Sequence, residues 1–190
     1  MRFKIFISGF IALFYVLTAQ GQNTDCFLYD KNVSIPLYGS YEDEVPAVLL
    51  YQDSLKENYY YVQLLENKGN KFRVHVTRVE DTVNIYGWIE KKYCKVWIWL
   101  MATDCIYLFS EPNSSSNYRN IQEEELIYNG NGYIATILEF SKKTEWLKLC
   151  IPTQSGNIYG WTLNYCGNIY GSCEGDRARS PSRVYGEINR

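Results

Sequence analysis

Three residue types in this chain could carry covalent or acid–base chemistry: one histidine, six cysteines and two runs of carboxylates. His75 is the single imidazole, so any triad that needs a histidine base must use it. It lies in KFRVHV, where Phe72, Val74 and Val76 alternate with Lys71, Arg73 and His75. That alternation puts His75 on the wet face of a strand, with no catalytic partner beside it. Glu42-Asp43-Glu44 and Glu123-Glu124-Glu125 could supply paired carboxylates. Both runs fall in turn-rich stretches and read as solvated loop charge. No phosphate loop, G-x-S-x-G or H-E-x-x-H is present. The inventory points away from an enzyme and implies no cofactor.

The cysteines are Cys26, Cys94, Cys105, Cys150, Cys166 and Cys173. A zinc site would need short paired spacings such as C-x-x-C, and the closest pair, Cys166 and Cys173, is wider. An even count in an exported chain is expected to form disulfides. Export is read from the first residues. Arg2 and Lys4 precede an apolar stretch from Ile5 to Leu17, and Thr18-Ala19-Gln20-Gly21 supplies small residues for cleavage. This is the order of a signal peptide, assigned to residues 1–21. Neither that stretch nor KVWIWLMA (95–102) is long enough for a comfortable membrane span. The expected product is a soluble monomer, periplasmic or secreted.

The chain carries 19 basic and 21 acidic residues, a net charge of −2, and losing Arg2 and Lys4 with the leader would make it −4. That balance disfavours nucleic acid as a partner, since such binding leans on a basic surface. Asp53-Ser54-Leu55 and Asp81-Thr82-Val83 resemble acceptor tripeptides for O-glycosylation in some Gram-negative bacteria, a match short enough to arise by chance.

The elements that would position these residues repeat. NIYGW occurs at 84–88 and again at 157–161. SIPLY (34–38), YYYVQLLE (59–66), KFRVHVTRV (71–79) and NIYGWIE (84–90) read as strands separated by turn-rich pieces. The second half keeps the order: IYLFSEPN (106–113) aligns with IPLYGSYE (35–42), and EWLKLCI (145–151) with KFRVHVT. A period near 72 residues predicts two copies of one unit. The expected fold is all-β, two small barrels of about five short strands each packed against one another. The units are assigned to 22–94 and 95–175, followed by a polar tail at 176–190. In such a barrel the first and last strands are neighbours, which favours a Cys26–Cys94 bridge. The other four cysteines leave open Cys166–Cys173 with Cys105–Cys150, or Cys105–Cys166 with Cys150–Cys173.

Gly87 and Gly160, just before each tryptophan, would let the backbone bend or another strand approach. Trp88 is left either to line a surface groove or to serve as a half-buried packing residue. Val96, Ile98 and Leu100 alternate with Trp97, Trp99 and Met101, so the strand after Cys94 is expected to be buried on both faces and to pack against the first unit.

With the strands placed, the chain resembles bacterial SH3-like (SH3b) domains in tandem. The carrying residues are IPLY and IYLF early in each unit, KFRVHV and EWLKLC later, and the closing GWIEKKYC and GWTLNYC. The resemblance covers about residues 26 to 173. It implies a binding or targeting module without an attached enzyme, engaging cell-wall peptide or peptidoglycan, or else an envelope protein. It maps groove aromatics to Tyr38, Tyr41, Trp88 and Tyr93 in the first unit, and to Phe109, Trp161 and Tyr165 in the second. The sequence departs from the pattern where Glu90 stands at a position that often carries a groove proline, and where the loop after Trp161 is one residue shorter.

Overall fold

The computed structural model describes residues 24–29, 34–51, 60–78, 83–98, 100, 105–130, 132–163 and 165–166. The expected leader, the tail, Cys173, Asp53-Ser54-Leu55, Asp81 and Thr82 lie outside them. Strands dominate: β1 Thr24–Leu28, β2 Ser34–Leu37, β3 Val48–Tyr51, β4 Tyr61–Lys68, β5 Lys71–Thr77, β6 Asn84–Glu90, β7 Cys94–Ile98, β8 Cys105–Phe109, β9 Tyr118–Gln122, β10 Ile134–Phe140, β11 Leu147–Thr153, β12 Gly156–Thr162 and β13 Tyr165–Cys166. Their pairing is antiparallel throughout, and one large sheet runs β6-β5-β4-β1-β7-β10-β11-β12-β8-β9, with β13 also on β7. β2 and β3 form a separate hairpin. Among the described residues no helix is long and apolar enough to cross a membrane.

Side-chain alternation decides which face of each strand turns inward. Phe72, Val74 and Val76 of β5 are buried, while Arg73 is exposed and His75 half-buried. Leu147, Leu149 and Ile151 of β11 are buried in the same rhythm. Each such apolar side chain contributes on the order of 1.5–3 kcal/mol relative to exposure.

The repeat is visible as matched pairings. Val74 faces Gly87 across β5 and β6, and Leu149 faces Gly160 across β11 and β12. Leu64 faces Val74, and Ile137 faces Leu149. The register then slips by one residue in both copies, at Leu65 and at Leu138. These pairings correct the sequence alignment: Phe72 corresponds to Leu147, not to Trp146. The reason is the turn before the strand. Lys68 pairs directly with Lys71 across a two-residue turn, whereas six residues separate Phe140 from its partner Leu147. A one-residue slip would have turned the polar face of β11 inward.

β7 serves both halves. One edge carries β10, and the other carries β1 at Cys94 and Lys95, then β13 at Trp97 and Ile98. Val96 and Ile98 are buried, and the half-buried Trp97 packs its ring 5.2 Å from Phe27. The segment after Cys94 thus joins β1 to β10 as a shared strand and not merely a packed face. Trp99 and residues 101–104 lie outside the described set.

Among the described residues neither the expected Cys26–Cys94 bond nor the Cys105–Cys150 alternative is formed, and the pairings through Cys173 lie outside them. Cys26 and Cys94 lie on paired strands and are both buried. Burial, then the Cys94 thiol, pushes the Cys26 thiol well above its usual range. Cys150 sits on the outer side of β11 opposite Tyr159 and Thr136, whereas Cys105 is buried.

Candidate functional site

The candidate site forms where the segment after β2 folds over the β4–β5 turn. Tyr38 and Trp88 exchange both backbone hydrogen bonds, each 2.8 Å, which fastens the β2 end to β6. This approach needs Gly87: a Cβ there would lie 2.7 Å from both Leu37 Cγ and the Tyr38 carbonyl oxygen. Gly69 is equally constrained, because its φ of 51° suits glycine and the Tyr41 ring lies over it. Tyr41 meets Trp88 edge-on with centroids 5.4 Å apart.

Lysines hold this aromatic cluster in shape. Lys71 is buried, and its Nζ donates to the carbonyl oxygens of Tyr41 and Asp43, 2.9 Å each, while lying 3.8 Å from the Tyr38 ring centroid. Lys68 Nζ lies 4.2 Å from the Tyr41 centroid and 6.0 Å from that of Trp88, and pairs with Glu42 at 3.0 Å. The Lys68 hydrogen bond holds the Glu42 carboxyl below its ordinary range. Ser40 closes the loop by donating its hydroxyl and amide to Asp43, at 2.7 and 2.8 Å, which lowers that carboxyl as well. Tyr38 Oη donates to Glu90 at 3.4 Å, and Glu90 also pairs with Lys92 at 2.9 Å. Burial first, then Glu90, raises the Tyr38 phenol.

Lys71→Met should therefore loosen the site from below. The Tyr41 and Asp43 carbonyls would lose their donor, at a cost of about 1–3 kcal/mol. Urea unfolding should show that loss, and amide exchange across residues 39–46 should speed up. Unchanged stability and exchange would mean that the loop holds itself.

The predicted aromatics divide by burial. Tyr38, Tyr41 and Trp88 come together and keep partly exposed rings. Tyr93 is only 9 % exposed and Phe109 only 2 %, so both serve packing and present little ring to a ligand. Phe109 packs against Trp146 and Tyr118, with centroids 5.1 and 5.5 Å away. Its backbone pairs with Trp161, as Tyr38 pairs with Trp88. Trp161 is half-buried, with Lys148 Nζ 6.0 Å from its ring, and Tyr165 Oη donates to the Glu145 carbonyl at 2.7 Å. The position matching Tyr41 holds Pro112, so the second half lacks the counterpart of the edge contact. Lys68 and Lys71 escaped sequence reading because KGNK looks only like a turn. The signal that could have found them is a tight turn flanked by two lysines near a tyrosine-rich loop.

His75 hydrogen-bonds Asn84 at 2.7 Å and stacks on Tyr86 at 4.4 Å. Glu123–Glu125 form a short 3-10 turn rather than an open loop: Glu123 accepts from Tyr133 at 2.8 Å, and Glu125 pairs with Arg119 at 3.3 Å. Among the described residues no group of three or more His, Cys, Asp or Glu is arranged to hold a metal ion. No family model, curated protein or solved structure matches the chain.

Proposed function

We propose that the chain is an exported, non-enzymatic binding module of two SH3-like barrels, which takes an extended ligand such as cell-wall peptide on the Trp88 face. The observation that carries this reading is the Tyr38–Tyr41–Trp88 cluster, preorganised by Lys68 and Lys71 on a surface turn. Rings already held in place give contact area at little entropy cost on binding. The test is co-sedimentation of the protein, purified after expression with its own leader, with isolated peptidoglycan at moderate salt. Pelleting supports the reading, and no pelleting overturns the wall ligand.

A second reading, an envelope-protein partner, draws on β3, where Val48, Leu49 and Tyr51 are exposed. A pull-down from envelope extract that is lost on Leu49→Lys would favour it. The export reading also calls for oxidised cysteines. Protein recovered from an oxidising compartment should carry a Cys26–Cys94 bond, formed as the two thiols lose their hydrogens to a disulfide oxidant. That bond should add about 2–4 kcal/mol to stability. Peptide mapping that finds Cys26 still a thiol would refute the expectation.

A further inference from the structure

We propose that Arg73 makes the Trp88 face selective for a ligand carboxylate, so that the ligand is an acidic peptide segment docked with an apolar or ring group against Trp88. This rests on the reading of that face as the binding surface. Arg73 lies on β5 directly opposite Trp88 of β6 and is exposed. Glu66 faces it from β4 in the register but makes no ion pair with it.

The other cations around the cluster are engaged within the fold. Lys68 is paired with Glu42, Lys92 with Glu90, and Lys71 is spent on two carbonyl oxygens. Among the described residues, Arg73 is therefore the cation beside Trp88 whose donors are not committed to the protein. A guanidinium can meet a carboxylate with two parallel hydrogen bonds, a geometry that a lysine ammonium cannot reproduce. Standing across the strands from a tryptophan, it would read charge while the ring reads shape.

The second half supplies the contrast. Lys148 occupies the place of Arg73, opposite Trp161, but is tied to Glu139 at 2.8 Å. Its charge is already answered, so the same row of three strands there is not selective for an anion. The chain should thus hold one carboxylate-reading site, on the Arg73 side.

The test compares peptidoglycan before and after its carboxyl groups are converted to amides with carbodiimide and ammonia. Binding is measured for the unaltered protein, Arg73→Gln, Arg73→Lys and Trp88→Ala, each checked for an unchanged unfolding midpoint or corrected for its shift. Amidation should weaken the unaltered protein about tenfold, the scale of a lost charge-assisted hydrogen bond. Arg73→Gln should lose a similar factor on intact wall and be indifferent to amidation, with Arg73→Lys recovering only part. Should Trp88→Ala lose binding while Arg73→Gln keeps it, or should amidated wall bind as well as intact wall, the Arg73 proposal fails and the Trp88 face stands. If the unaltered protein binds neither wall, the wall reading and this proposal fall together.

Discussion

Replacing Gly87 with alanine is expected to destabilise the protein by about 2 kcal/mol and to loosen the link between β2 and β6. The added Cβ would sit 2.7 Å from Leu37 Cγ, 2.9 Å from Leu37 Cδ1 and 2.7 Å from the Tyr38 carbonyl oxygen. Leu37 can turn aside in part, but it is buried and its neighbours are packed. The Tyr38 oxygen has less freedom, because it accepts from the Trp88 amide at 2.8 Å. Overpacking of this kind costs about 1–3 kcal/mol. A strained Tyr38–Trp88 pair adds up to about 1 kcal/mol per weakened bond. The reduced freedom of the unfolded chain returns roughly 0.4–1 kcal/mol.

Gly160→Ala meets Leu108 Cβ at 2.7 Å, but the Phe109 oxygen only at 3.3 Å. It should therefore destabilise while sparing the backbone pair. Urea unfolding of both variants measures the costs. A Gly87→Ala protein within about 0.5 kcal/mol of the parent, the range of neutral surface changes, would show that the β2 end is free to retreat.

Trp88→Ala should separate binding from folding. The ring is half-buried and rests edge-on against Tyr41, so its loss should cost less than the roughly 3–5 kcal/mol of truncating a fully buried aromatic. Ligand binding should fall more than about tenfold, as for a central tryptophan in a recognition site. Trp161→Ala is the internal comparison. Trp161 occupies the matching place on β12 and should cost similar stability. It should cost less binding, because Phe109 is buried and Pro112 replaces the tyrosine that frames Trp88. Equal binding losses from the two variants would remove the asymmetry between the halves. A Trp88→Ala protein that unfolds would reassign that ring to packing.

Much of the framework was legible because strand alternation is a local property. KFRVHV announced a dry face of Phe72, Val74 and Val76, and the repeated NIYGW marked two strands with the same neighbours. The need for glycine before each tryptophan was also readable, since a missing Cβ in a strand signals close approach by other backbone. The aromatic cluster was legible only in part. Tyr38, Tyr41 and Trp88 were named, but the lysines that fix them were not, because a lysine near a turn ordinarily points to water.

By itself, the sequence determined an all-β chain and its internal repeat, and it marked Gly87 as a place where the backbone bends or another strand approaches. The tertiary structure alone decided the register of β11, which depends on the length of the turn before it. It also decided that β7 serves both halves, since strand sharing depends on what pairs with each edge. And it decided which aromatics keep an open face. Tyr93 carries the same phenol as Tyr41 and Phe109 differs from it only by the hydroxyl, yet exposure is set by the strands that cover a ring, and no local pattern encodes them.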